Sequence, residues 1–271
     1  MIKDFNDRKD GTALIDSSLY TPDFILDKAL DIGESILKCG GESHRIEDTV
    51  VRICFAYGAE QTDVFALPSL IIAGIRMPDG RTASHVRRVY ETTNNMYKLD
   101  EINSISREIC DGQLAIEDVD KRIKEISKSV PYSKVISVLG GMFAAGGFAV
   151  FFGGNLSDAV AASIAGLLVS LLNIPKLNLV NKMLYTIAQA FVGAITGLLL
   201  VHFGIGTNID MIMIGTIMLM IPGLAFGNAV RDLLFGDTVS GIMQVVRAVL
   251  TAVMIAFGYI VAILFFGGVI K

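Results

Sequence analysis

The sequence predicts an α-helical integral membrane protein with five transmembrane helices and an N-terminal cytoplasmic α+β domain. Three observations carry that prediction. The 271 residues are 52% hydrophobic with a mean hydropathy of +0.58, high for a soluble globular chain. Charge is divided unevenly: residues 1–132 hold 17 of the 23 Lys/Arg and 23 of the 27 Asp/Glu, which leaves 6 and 4 for residues 133–271. Uncharged runs at 135–154, 183–201, 211–229 and 248–266 all follow Pro131, and each is long enough to cross a hydrocarbon core of about 30 Å at about 1.5 Å rise per residue.

The net charge is 17 − 23 = −6 in the first half and 6 − 4 = +2 in the second. No basic footprint exists for nucleic acid, and no nucleic-acid partner is expected. Residues 1–20 read as a disordered polar tail; they lack the apolar core of a secretory signal. Cys39, Cys54 and Cys110 form no CxxC pair and read as reduced, buried thiols of a cytosolic domain.

Within residues 21–130 the elements follow in the order ααβββαα. Thr21-Pro22-Asp23 writes a helix start: a hydroxyl cap, a proline at the first helical position and an early acid. Apolar Ile25, Leu26, Ala29, Ile32, Ile36 and Leu37 continue it to Gly40-Gly41. A second helix spans about Ser43 to Tyr57. Three β segments follow at Thr62–Ala66, Ser69–Met77 and Thr82–Tyr90, the last two joined by a turn at Pro78-Asp79-Gly80. Helices over about Leu99–Cys110 and Ile116–Ser129 complete the domain.

Residues 131–271 read as the transmembrane domain, with spans at about 135–154, 159–174, 183–201, 211–229 and 242–268. Lys134, Lys176, Lys182 and Arg231 flank or join spans on one side, whereas the loops at 153–158 and 204–210 hold no Lys or Arg. The positive-inside rule then puts the N-terminus in the cytoplasm and the C-terminus outside. Gly140, Gly141, Ala144, Ala145 and Gly147, with Ala161, Ala162, Ala165 and Gly166, make small-residue faces that pack on other helices of this chain or a partner.

Chemistry concentrates where the apolar pattern breaks. Pro222 and Gly223 interrupt the fourth span, either as a plain kink or as a broken helix that frees backbone groups for a substrate. Asn228 lies three and four residues before Arg231 and Asp232 and makes one polar patch with them. Ser240, Gln244, Arg247 and Thr251 form a polar stripe at steps of 4, 3 and 4, and Thr186, Gln189, Gly193 and Thr196 form another. Arg247 lines a pathway or snorkels at the inner interface. His44, His85 and His202 read as isolated, with no metal site. No phosphate-cradling GxxxxGK[ST] loop is present, and no cofactor is expected.

Gly41-Glu42-Ser43-His44-Arg45-Ile46-Glu47-Asp48-Thr49 resembles the cytoplasmic motif G-[AG]-E-[ST]-x-R-[IV]-E of the threonine/serine exporter family. Pro222-Gly223, Asn228, Arg231-Asp232, Gly236-Asp237 and Ser240-Gly241 resemble its membrane half, so the likeness covers residues 22–270. The chain departs from the family at Ala66-Leu67-Pro68-Ser69, where a Thr-Pro-Thr/Ser-Gly type turn is usual. The resemblance implies a secondary active exporter of small carboxylate metabolites, threonine or serine or a dicarboxylate such as succinate, in the bacterial inner membrane. It marks Pro222, Gly223, Asn228, Arg231, Asp232, Asp237, Ser240, Gln244, Arg247 and Gln189 as a substrate pathway. It marks Gly41, Glu42, Ser43, Arg45 and Glu47 as the soluble-domain motif. The chain ending at Lys271 resembles the larger subunit of split members, which implies a second, small membrane subunit and a higher oligomer. No enzymatic activity is expected. A hydrolase-like enzyme built on Glu42, Ser43, His44, Arg45, Glu47 and Asp48, or a membrane scaffold, are the competing readings. Against the first, Ser43 and His44 are neighbours on a helix and do not share a face.

Overall fold

The computed structural model describes residues 20–130, 132–173 and 182–266. The tail at 1–19, Pro131, the loop containing Lys176, and Lys271 lie outside them. The chain divides into two compact units: residues 20–129 with Leu224–Val245, and residues 130–223 with 246–266.

In the first unit, α1 (Pro22–Lys38) begins where Thr21 Oγ1 accepts the Phe24 amide at 3.2 Å. It ends in a left-handed Gly40, φ 87°; the Gly40 amide returns to Leu37 O and the Gly41 amide to Ile36 O. A side chain at residue 40 would be strained in that conformation. This turn delivers the chain to α2 (Ser43–Ala56). Strands β1 (Gln61–Leu67), β2 (Leu70–Arg76) and β3 (Thr82–Arg88) form an antiparallel meander, with Ala66 opposite Ile71 and Ile75 opposite Ala83. Those four are buried, whereas Phe65, Ile72 and Val86 on the opposite face are exposed. The helices α3 (Met96–Cys110) and α4 (Val119–Lys128), the latter preceded by a 3-10 turn at Ile116–Asp118, complete the order.

The core joins Ile25, Ile32, Ile46, Ile53, Ile71 and Ile105, all fully buried. Cys54 belongs to it, and burial pushes its thiol up to about 12. Because only the thiolate reacts, Cys54 in the native chain at pH 8 stays unmodified by iodoacetamide for hours and is alkylated once denaturant opens the core. Mass spectrometry of the Cys54 peptide reads both states.

In the second unit, α5 (Lys134–Phe151) and α6 (Leu156–Leu172) pack as a hairpin closed by Gly153 and an Asn155–Asp158 capping box. The helix α7 (Lys182–His202) lies beside α6, and α8 (Ile209–Ile217) packs on α5, α6 and α7. Asp158, buried, accepts the amides of Thr207 at 2.7 Å and Asn208 at 2.9 Å. The two loops without Lys or Arg therefore meet through one carboxylate.

Among the described residues three helices are long and apolar enough to cross a membrane: α5, α7 and α10 (Thr238–Phe266), at 18, 21 and 29 residues. α6 is apolar but shorter. The described chain is mostly helical, but two of the expected spans differ from the sequence reading. The run at 211–229 is not one helix: α8 stops at Ile217 and α9 (Gly223–Phe235) starts afresh. Pro222 has no N–H to continue the helix, and the Met220 amide turns back to Ile217 O at 2.8 Å. The last helix begins at Thr238 rather than 242, since Gly236 (φ 94°) closes the α9–α10 turn; residues 267–268 lie outside the described ones.

Candidate functional site

Within the first unit, α9 and the start of α10 meet the N-terminus of α2. Glu42 is the N-cap residue of α2, yet its side chain caps no amide. Its carboxylate instead pairs with Arg231 Nη1, with the Glu42 side chain 17% and the Arg231 side chain 58% exposed. Three residues earlier on α9, Asn228 donates from Nδ2 to the Gly40 carbonyl at 3.0 Å. Buried Ser43 and Ser240 share a hydroxyl hydrogen bond, and the His44 ring stacks on Phe235 at 4.8 Å and 9°. The turn set by Gly40 thus presents both a backbone carbonyl and the Glu42 carboxylate to a single helix.

Beneath these contacts lies a carboxylate group. Fully buried Asp232 accepts from Ser240 Oγ at 3.0 Å and Gln244 Nε2 at 2.6 Å, both through Oδ2. Buried Glu47 accepts the Ala66 amide at 2.8 Å, so an edge strand finds its partner on α2. Burial lifts Glu47 to about 7, against the lowering effect of the Ala66 hydrogen bond, and the charges of Asp237 and Asp232 add to the rise. Asp237 is raised as well, by burial and then by Asp232, with His44 acting the other way. Asp232 Oδ1 and Asp237 Oδ2 are buried without a hydrogen-bond partner among the described residues.

The family model for threonine/serine exporters matches residues 27–266. The chain belongs to the threonine/serine exporter family. Comparison with curated proteins and with solved structures finds no match. As a threonine/serine exporter family member with apolar helices able to span a bilayer, the chain is a multi-pass membrane protein of a transporter family.

In this exporter-family chain the expected site residues are only partly assembled. Asn228, Arg231, Asp232, Asp237, Ser240 and Gln244 gather with Glu42, Ser43 and Glu47. Gly41 shapes the turn, and Arg45 is exposed. Pro222 and Gly223 stand at the helix break, and Gln189 and Arg247 fall in the second unit. There Gln189 donates to Asn173 Oδ1 at the end of α6 at 2.8 Å, while Thr186 and Thr196 bond carbonyls of their own helix. Arg247 is exposed and joins no ion pair among the described residues.

Asn228, Arg231 and Asp232 each reach a different partner. The structure corrects two readings. Ser43 and His44 both contact the 235–240 segment, because it lies over the start of α2, where adjacent residues fan outward. His44 is not isolated, since Glu47 and Asp237 stand beside it. The i, i+3 spacing of His44 and Glu47 was visible on α2; the arrival of Asp237 and Phe235 from about 190 residues away was not.

Proposed function

We propose that this chain is the larger subunit of a secondary active exporter of threonine, serine or a related small carboxylate. In this reading it works in the bacterial inner membrane with its N-terminus inside and its C-terminus outside, and it acts with a second, small membrane subunit. The 159–174 segment and the interrupted 211–229 segment would supply the second and fourth of its five crossings. The observation that carries the proposal is the helix break at Pro222-Gly223 leading straight into α9, whose Arg231 and Asn228 are held at the soluble motif. A helix start offers amides without intrahelical partners, and a guanidinium matches a carboxylate in charge and geometry. A substrate carboxylate arriving at Arg231 would compete with Glu42, which gives the soluble motif a gating role.

The test is efflux from cells loaded in turn with labelled threonine, serine and succinate, with the chain expressed alone and with a short four- or five-span partner. Expression accelerates release of at least one of them, and a protonophore abolishes the acceleration. Release matching that of the empty vector for all three substrates would overturn the proposal.

A further inference from the structure

We propose that His44, Glu47 and Asp237 form a binding site for a divalent transition-metal ion, completed by the buried carboxylate of Asp232. The site stands whether or not the chain exports amino acids.

Three observations converge. First, one nitrogen or oxygen from each of His44, Glu47 and Asp237 lies within 4.8 Å of the others. Donors bound at about 2.0–2.2 Å to one ion lie within about 4.4 Å of each other, so the group closes on an ion by side-chain adjustment alone. Second, Asp232 is fully buried and leaves Oδ1 without a hydrogen-bond partner, although Ser240 and Gln244 occupy Oδ2. Asp237 Oδ2 is orphaned in the same way. Buried carboxylate oxygens are costly unless a donor or a cation meets them. Third, no ion pair among the described residues includes Glu47, Asp232 or Asp237. The neighbouring guanidinium of Arg231 is committed to Glu42, and that of Arg45 is exposed. No Lys or Arg among the described residues pairs with these three carboxylates, so only protonation or a bound cation neutralises them.

The ligand set selects the ion. Imidazole with carboxylates suits Mn²⁺, Fe²⁺, Co²⁺ or Zn²⁺, whereas Mg²⁺ and Ca²⁺ favour all-oxygen sites. Stacking on Phe235 fixes the plane of the His44 ring, and Glu47 is tethered by the Ala66 amide. Asp232 is oriented by the Ser240 and Gln244 donors, the role that surrounding hydrogen bonds play in metal sites. Two ligands come from α2, one from α9 and one from the α9–α10 turn, so a bound ion clamps this hairpin to the soluble motif.

The experiment is isothermal titration calorimetry on the purified full-length chain in detergent after EDTA treatment, with MnCl₂ and ZnCl₂, and with MgCl₂ and CaCl₂ as controls. One saturable site for Mn²⁺ or Zn²⁺ is expected, and at least tenfold weaker binding of Mg²⁺ and Ca²⁺. His44→Ala and Asp237→Asn each weaken Mn²⁺ or Zn²⁺ at least tenfold, and His85→Ala leaves it unchanged. Glu47→Gln, which keeps an acceptor for the Ala66 amide and hence the fold, weakens binding by a similar factor. Three results would overturn the site: no saturable binding, unchanged binding in both Glu47→Gln and Asp237→Asn, or equal affinity for Mg²⁺. The first is what a carboxylate cluster that merely shares protons, or one that meets an ammonium group, would give.

Discussion

A Gly258→Leu chain yields no monodisperse protein, and Gly258→Ala melts about 5–10 °C lower than the native sequence. A Cβ at residue 258 of α10 would stand 2.6 Å from the Ile187 carbonyl oxygen, 2.7 Å from Ala190 Cβ and 3.1 Å from the Phe191 amide of α7. Two of these are backbone atoms of a membrane helix and cannot turn aside. The helices must separate, and in lipid their association rests on such close approach. Overpacking by one methyl costs about 1–3 kcal/mol, and each kcal/mol shifts the midpoint by about 2–4 °C at this chain length. Thermal denaturation in detergent, followed by size-exclusion chromatography, measures both variants. By contrast, Gly140, Gly147 and Gly223 have nothing within 4 Å of an added Cβ, so alanine there leaves the midpoint within about 2 °C.

Arg231→Ala loses export while membrane insertion and the melting midpoint stay close to native. Magnitude separates the two readouts. The Arg231 side chain is 58% exposed, and a pair this accessible contributes only about 0–1 kcal/mol to stability. Loss of the guanidinium therefore cannot unfold a chain whose core is elsewhere. If Arg231 receives the substrate carboxylate, removing it eliminates a charge-assisted, two-point contact that nothing nearby replaces. Arg231→Lys retains charge but not the planar fork and restores only part of the rate. Glu42→Gln keeps the size of the competing group without its charge, and it changes the apparent affinity for substrate rather than abolishing release. Efflux measured at matched membrane levels, determined by immunoblot, gives the result. Native efflux in Arg231→Ala would remove the residue from the pathway.

Local chemistry explains which parts of the fold could be read in advance. Thr21-Pro22-Asp23 and Gly40-Gly41 bound α1 because capping and left-handed termination are short-range properties. The β2–β3 turn at Pro78-Asp79-Gly80 was legible for the same reason. The break at Pro222 was also legible, since a missing N–H interrupts any helix; its consequence was not. The sequence treats 211–229 as one apolar run, whereas α9 packs within the unit that contains the soluble motif. Hydropathy averages over a window and is blind to where a broken helix turns.

The site was legible residue by residue but not as a constellation. Glu42, Ser43, Glu47, Asn228, Arg231, Asp232 and Ser240 could be singled out from their motifs and helical spacing. Their pairing across about 190 residues is a tertiary fact that helical spacing does not show. Gln189 and Thr196 share a helical stripe in the sequence, yet Gln189 bonds Asn173 at the end of α6 while Thr196 bonds a carbonyl of its own helix. His44 reads as isolated in the sequence because Asp237, on a distant turn, joins it and Glu47 only on folding.

We propose that this threonine/serine exporter family chain moves its substrate out of the cytoplasm through the segment that contains Arg231. Inside-out membrane vesicles test it most directly, because export then appears as uptake. Vesicles carrying the chain with its short partner, energised by a proton gradient, should accumulate labelled threonine or serine several-fold above vesicles without it, and Arg231→Ala vesicles should not. Accumulation equal to that of control vesicles for both amino acids and for succinate would contradict export by this chain.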